Sequence, residues 1–182
     1  MNIERICALF VLSVSCVWAR IKIDAYFTRI ECPNYLPELV TNLSCHLDHS
    51  SQSNGTFSAE FTLAKDVKDI KGIYMFSIIR GSSENNYTAI ELDYCKALSD
   101  LQSHFLLKMI ADELRKSANF PLQCPFKMKK LYYINRYTIN TKAIPSYAPE
   151  LSFKSDCHIS LNKRKAIQLI IHGRVIRRRS GR

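Results

Sequence analysis

The residues best equipped for chemistry stand in two short groups. Cys45, His46, Asp48 and His49 lie side by side, and Cys95 precedes His104 by nine positions. A thiol with an imidazole base beside it would be a nucleophile, and two imidazoles with a thiolate and a carboxylate would suit zinc. Neither reading goes far. His104 falls on the polar face of a helical stretch, with nothing to aim it back at Cys95. Zinc prefers four fixed ligands, and an oxidised Cys45 cannot be one. Elsewhere there is no Gly-x-Ser-x-Gly elbow, no phosphate-cradling loop among only five glycines, and no His-Glu-x-x-His helix. Carboxylates are scattered: Asp93, two before Cys95, and the neighbours Asp112 and Glu113, which diverge on a helix, offer no shared site. No catalytic residue, metal or cofactor is expected, so function must be sought in shape.

The compartment follows from the first residues. An apolar run over 6–18 sits behind Glu4 and Arg5 and is too short to span a bilayer. Val17 and Ala19 are the small side chains of a signal-peptidase site, so 1–19 reads as a signal peptide, which removes Cys7 and Cys16. No second run approaches twenty apolar residues. The expectation is a secreted, extracellular chain that does not span a membrane, with one domain over 20–176. Three sequons, at Asn42, Asn54 and Asn86, agree with glycosylation along that route.

Five cysteines then remain, an odd number in an oxidising compartment. Cys95 and Cys124 flank the helical stretch and read as a disulfide across it. Cys157 shares its phase with Leu151, Phe153, Ile159 and Leu161, so it points into the core and is the expected free thiol. Cys32 is left with Cys45 or Cys157 as its partner.

Charge is the other constraint. The net charge of +10 is unchanged by processing, since one Arg and one Glu leave together. Five arginines fall within the last ten residues, "GRVIRRRSGR". Blocks of like charge are usually solvated, so 177–182 reads as a basic tail, and no nucleic-acid partner is expected.

The elements that would position a site are mostly strands. In "TFSAEFTL", Phe57, Ala59, Phe61 and Leu63 face one way while Ser58, Glu60 and Thr62 face the other. Further strands are predicted at 21–30, at 73–80 with both faces covered, at 87–92 beyond a turn over 81–86, and at 131–139, 151–161 and 166–176. Strands without helical crossovers predict a mainly β protein, an antiparallel sandwich or cup. The exception is 97–116. There Leu98, Leu101, Phe105, Met109, Ile110 and Leu114 share one helical face, opposite Asp100, His104, Lys108, Asp112 and Lys116.

"ELDYC" (Asp93, Cys95), the helical segment, "SAN" (Asn119) and "QCPF" (Cys124, Pro125, Phe126) together resemble the Asp-x-Cys and Asn-x-Cys-Pro hallmarks of an insect family of small secreted proteins, domain of unknown function 1091. That family is similar to ML lipid-recognition proteins and to ganglioside-activator-like chemosensory proteins. Cys32 and Cys45 correspond to its two N-terminal cysteines. "IPSYAPEL" keeps Pro145 and Tyr147 but lacks the glycine of the family's turn. The resemblance implies an immunoglobulin-like β-sandwich or cup, splayed to admit an apolar molecule, and a chemosensory setting.

The expected function is therefore non-enzymatic binding of a lipid or other hydrophobic small molecule between the sheets, with the helix covering part of the opening. Phe61, Met75, Phe76, Ile78, Phe105 and Met109 are the expected lining. The rival reading is an extracellular module that modulates a receptor or channel through Tyr132, Tyr133 and Tyr137 as surface anchors.

Overall fold

The computed structural model describes residues 21–48, 55–95, 105–121 and 124–179. The expected leader over 1–19, Asn54 and the first part of the helical stretch lie outside them. The strands are β1 (Ile21–Glu31), β2 (Val40–Asp48), β3 (Thr56–Leu63), β4 (Ile70–Arg80), β5 (Ser83–Asp93), β6 (Tyr132–Tyr137), β7 (Leu151–Leu161) and β8 (Arg164–Arg179). Helix α1 (Phe105–Ser117) lies between β5 and β6. Five strands form one sheet in the order β1-β8-β7-β4-β5, and β2-β3-β6 form a second. Every strand pair is antiparallel. The fold is the mainly β, two-sheet arrangement with a helix that the alternation predicts.

Turn chemistry closes the two hairpins of the larger sheet. Asn162 and Lys163 adopt φ of 50° and 66° between β7 and β8. A two-residue turn of this hand matches the twist of the strands, and asparagine accepts the left-handed region more readily than most residues. Gly81, at φ 60°, does the same between β4 and β5. Arg80 pairs directly with Ser83, so the turn is tighter than the expected 81–86 and residues 83–86 belong to β5.

Two other boundaries differ from expectation. β2 escaped the period-two reading because Asn42 sits at φ 53°, and the register slips between Thr41 and Ser44. That bulge breaks the phase of Val40, Cys45 and Leu47. At the other end of the chain β8 does not stop at Ile176. It runs on to Arg179, with Arg177, Arg178 and Arg179 paired to Ile23, Lys22 and Ile21. Three arginines expected in a tail are sheet residues because β1 offers them a ladder.

Two apolar clusters hold the sheets together. One gathers Leu36, Val40, Leu63, Val67, Phe126 and Tyr132 at the end where β1 leads into β2 and β3 into β4. The other gathers Ala25, Phe27, Phe57, Tyr137, Phe153 and Val175. Cys32–Cys45 joins β2 to the chain just after β1 and so fastens one sheet to the other. Cys95–Cys124 closes a loop of 29 residues around α1. Cys157 is free.

The outer face of the large sheet is polar but not loose. Asp156, only 6% exposed, accepts from Gln168 Nε2 at 2.9 and 3.0 Å on its two oxygens. Gln168 Oε1 in turn accepts from Tyr35 Oη at 2.9 Å and Lys165 Nζ at 3.1 Å. Each buried polar group of that chain thereby keeps a partner, as burial requires. Ile73 on the same face of β4 is 42% exposed, so this strand is not covered on both sides as expected.

Candidate functional site

Between the sheets lies a cavity of about 740 Å³. Native interiors are close-packed, with few voids larger than a water molecule, so a space of this size is a built feature. The large sheet contributes Tyr74, Phe76, Phe153, Leu169 and Ile171 to its wall; the small sheet contributes Phe57, Ala59 and Phe61. Met109, Ile110 and Leu114 of α1 close one side, and the connection before β7 adds Ile144, Pro145 and Ala148. Lys108, Asp112 and Lys116 are exposed, so the helix turns its apolar stripe to the cavity as its periodicity predicts.

Ring-to-ring contacts brace each wall within its own sheet. Phe76 stacks on Phe153 with centroids 5.5 Å apart, Phe57 meets Tyr137 at 5.0 Å, and Phe61 meets Tyr132 at 5.5 Å. Rings braced on one another resist collapse into the space beside them. Gly173 on β8 makes room for one of them. A β-carbon there would lie 2.3 Å from the Phe153 ring, so only glycine lets the ring rest against the strand.

The helix is fixed to the small sheet at its C-terminal end. Asn119 Oδ1 accepts from Tyr133 N–H at 2.8 Å, and Asn119 Nδ2 donates to Leu131 O at 2.8 Å. Asn140 Nδ2 donates to Glu113 Oε1 at 3.1 Å. The asparagine of the "SAN" motif is therefore a clamp between α1 and β6.

Of the expected lining, Phe61, Phe76 and Met109 face the cavity. Met75 does not: Tyr74 and Phe76 on either side of it face inward, and period two turns Met75 to the outer face, opposite Asp156. Ile78, opposite Phe153 in the ladder, is half-buried and outside the lining. The side chain of Phe105 lies outside the described residues. Sequence reasoning passed over Tyr74, Phe153 and Phe120 as lining. Phe153 carried the right signal, alternation within 151–161, whereas Tyr74 stands in a strand apolar on both faces and carried none.

The expected surface anchors are separated in the same way. Tyr132 is 1% exposed and Tyr137 8%, both in the core, while Tyr133 at 39% alone faces outward. Of the histidine group, Cys45 is spent in its disulfide, His46 is exposed, and His49 lies outside the described residues with His104. Among the described residues no three of His, Cys, Asp and Glu gather as a metal site. Asn42 and Asn86 are both exposed.

The interior is hostile to charge. Among the described residues, Lys71 and Arg115 are the only charged ones in the lining, and both are exposed. Inside, Ser155 Oγ donates to Tyr74 Oη at 3.4 Å, and Cys157 lies beside them. Burial pushes the Tyr74 hydroxyl up to about 12. Burial, with the nearby Asp156 charge, does the same to the Cys157 thiol, also up to about 12. What area Cys157 leaves accessible is turned to the cavity. Its thiol stays protonated at ordinary pH and has no nucleophilic character. Tyr137 is raised by burial first, then by Tyr74 and Glu113. These are neutral hydrogen-bonding groups on an apolar wall.

An apolar chamber enclosed by two antiparallel sheets and a disulfide-spanned helix defines a β-cup with a hollow interior. Residues 74–155 match the family described as "Protein of unknown function (DUF1091)". That match, running from β4 into β7, bears out the resemblance carried by Asp93, Cys95, Asn119 and Cys124–Pro125–Phe126. Among solved structures the chain is similar to the crystal structure of a Niemann-Pick type C2 protein from Japanese carpenter ant. The two share 14% identity over 82% of this chain and 90% of that one, with a TM-score of 0.31. No curated protein matches the chain.

Proposed function

We propose that this protein is an extracellular, non-enzymatic binder of an apolar small molecule or lipid held between its sheets. The observation that carries the reading is the cavity itself. Its volume of about 740 Å³ falls within the range of about 300–1,000 Å³ typical of ligand sites, and its wall is built almost wholly of aliphatic and aromatic side chains. Apolar area moved there from water stabilises a complex by about 25 cal/mol per Å². The lack of an interior charge favours a neutral ligand. Tyr74 and Ser155 give it a foothold for a single hydroxyl or carbonyl, whereas a carboxylate would have to stay beside Lys71 or Arg115. Two disulfides, the sequons and the leader-like 1–19 support an extracellular setting, and the family resemblance supports chemosensation.

Extraction of the secreted protein followed by lipid mass spectrometry tests the reading, together with displacement of a fluorescent fatty acid by a long-chain alcohol and by the matching acid. A co-purifying apolar molecule, with the alcohol displacing better than the acid, is expected. Ala59→Phe, which places a ring inside the chamber, should abolish probe binding while the protein stays folded. If nothing extracts, no probe binds, and Ala59→Phe changes nothing, the cavity has no ligand.

A further inference from the structure

One end of the molecule is assembled from loops distant in the chain. Val67 and Phe126 exchange backbone hydrogen bonds of 2.9 and 2.8 Å, joining the β3–β4 loop to the strip before β6. Lys129 N–H donates to Leu63 O, Asn162 N–H to Asp69 O, and Ala64 N–H to Leu39 O. The loop after β1, the β3–β4 loop, residues 126–131 and the β7–β8 turn thus share one surface.

That surface is crowded with cations. Lys65, Lys68, Lys127, Lys129, Lys130 and Lys163 are exposed on it, with Arg164 and Lys165 beside the turn. Glu38, Asp66 and Asp93 among its carboxylates are already engaged. Glu38 pairs with Arg164 at 2.7 Å and Asp66 with Lys127 at 2.9 Å. Asp66 also accepts from Met128 N–H at 2.8 Å, and Asp93 from Cys95 N–H at 3.1 Å. Asp69 is half-buried. Lys165 lies 3.9 Å over the Tyr35 ring and Lys130 5.7 Å over Tyr132. Lys65, Lys68, Lys129 and Lys163 make no ion pair among the described residues. In their midst two apolar side chains, Met128 and Leu131, are each 46% exposed.

We propose that this lysine-rich end docks on a membrane containing anionic phospholipid, with Met128 and Leu131 entering the headgroup layer between the lysines. Lysine is a compact point charge on a flexible stem, suited to a diffuse negative surface more than to fixed bidentate recognition of an oxyanion. A sulfated glycan would answer the charges but leave both apolar groups in water. A lipid interface answers both, because apolar side chains enter the acyl boundary while ammonium groups remain among the headgroups. The net charge of +10 adds attraction at longer range. The proposal does not depend on what fills the cavity.

Sedimentation of the secreted chain with phosphatidylcholine vesicles, with and without phosphatidylserine, tests it at low and high salt. Binding is expected only with phosphatidylserine and should weaken as salt rises. Glutamine at Lys65, Lys68, Lys129 and Lys130 together should weaken it by about fivefold per lysine. Met128→Asn should lower vesicle binding severalfold and leave retention on heparin unchanged. An unaltered thermal transition certifies each variant as folded, since all these positions are exposed. The proposal fails if phosphatidylserine vesicles do not bind, if vesicles without it bind equally, or if the lysine variant binds as well as the parent. It also fails if Met128→Asn leaves vesicle binding unchanged while heparin retains the protein, the outcome a glycan site would give.

Discussion

The two ends of the large sheet are both basic, and they use charge in opposite ways. At the end where β1 begins and β8 finishes, the arginines are tied down. Arg177 donates through its guanidinium to Tyr147 O at 2.8 Å and Ala148 O at 3.0 Å, and its backbone N–H donates to Glu150 Oε1 at 2.9 Å. Arg178 Nε lies 3.0 Å from Asp24 Oδ2. At the opposite end the lysines of residues 64–69 and 126–130 project with few partners. A planar fork can bridge two carbonyls of one loop, which an ammonium group does less well. Charge density along a sequence is therefore a poor guide to role, because Arg177 and Arg178, read as part of a solvated tail, are tied into the structure.

The largest expected effect lies beneath the lysine-rich end. Replacing Cys95 and Cys124 together with serine opens the 29-residue loop and should destabilise the fold by about 3.5 kcal/mol on the loop-entropy account, read by denaturant unfolding. A loss below about 1 kcal/mol would mean that this end holds its shape without the sulfur link.

Alkali gives the next contrast. The Cys157 thiol and the Tyr74 and Tyr94 hydroxyls stand at about 12 in the folded chain, against ordinary values of 9.0 and 10.0. The folded form holds these protons more tightly, so their contribution to stability is complete below pH 9 and falls as pH rises toward 12. Unfolding midpoints followed across that window should therefore fall. A flat profile would place these groups in water.

Arg177→Ala should cost about 1 kcal/mol, since the bonds it loses are neutral-acceptor contacts at an exposed site, and should loosen the loop that carries Pro145 and Ala148 at the cavity. Arg177→Lys should not restore it. Faster release of a bound probe would register the loosened loop. The smallest effect on stability is predicted for Lys129→Gln and Lys130→Gln, within about 0.5 kcal/mol in the same denaturation assay. A larger loss would show that these lysines hold structure after all.

How much of this was legible depended on whether a residue's two neighbours disagreed in character. In "TFSAEFTL" polar and apolar residues alternate cleanly, and Phe61 was correctly placed inward. In "IYMFSII" both faces are apolar, so nothing in the residues separates Phe76, which lines the cavity, from Met75, which does not. Tyr132 and Tyr133 pose the same problem. The helix was readable because Met109, Ile110 and Leu114 recur at helical spacing, and the Cys95–Cys124 bond because both cysteines flank it. The cavity was not readable from pattern, since a filled core and a hollow one demand the same alternation. Its existence rests on how the two sheets and the helix are spaced, which is a property of packing.

Gly173 ties the chamber wall to the sheet behind it. A methyl group at position 173 would lie 2.3 Å from the Phe153 ring and 2.8 Å from the Tyr26 carbonyl oxygen, so both the ring and the β1 backbone would have to give way. Widening or narrowing the vessel at this plate therefore cannot be separated from loosening the frame that carries it.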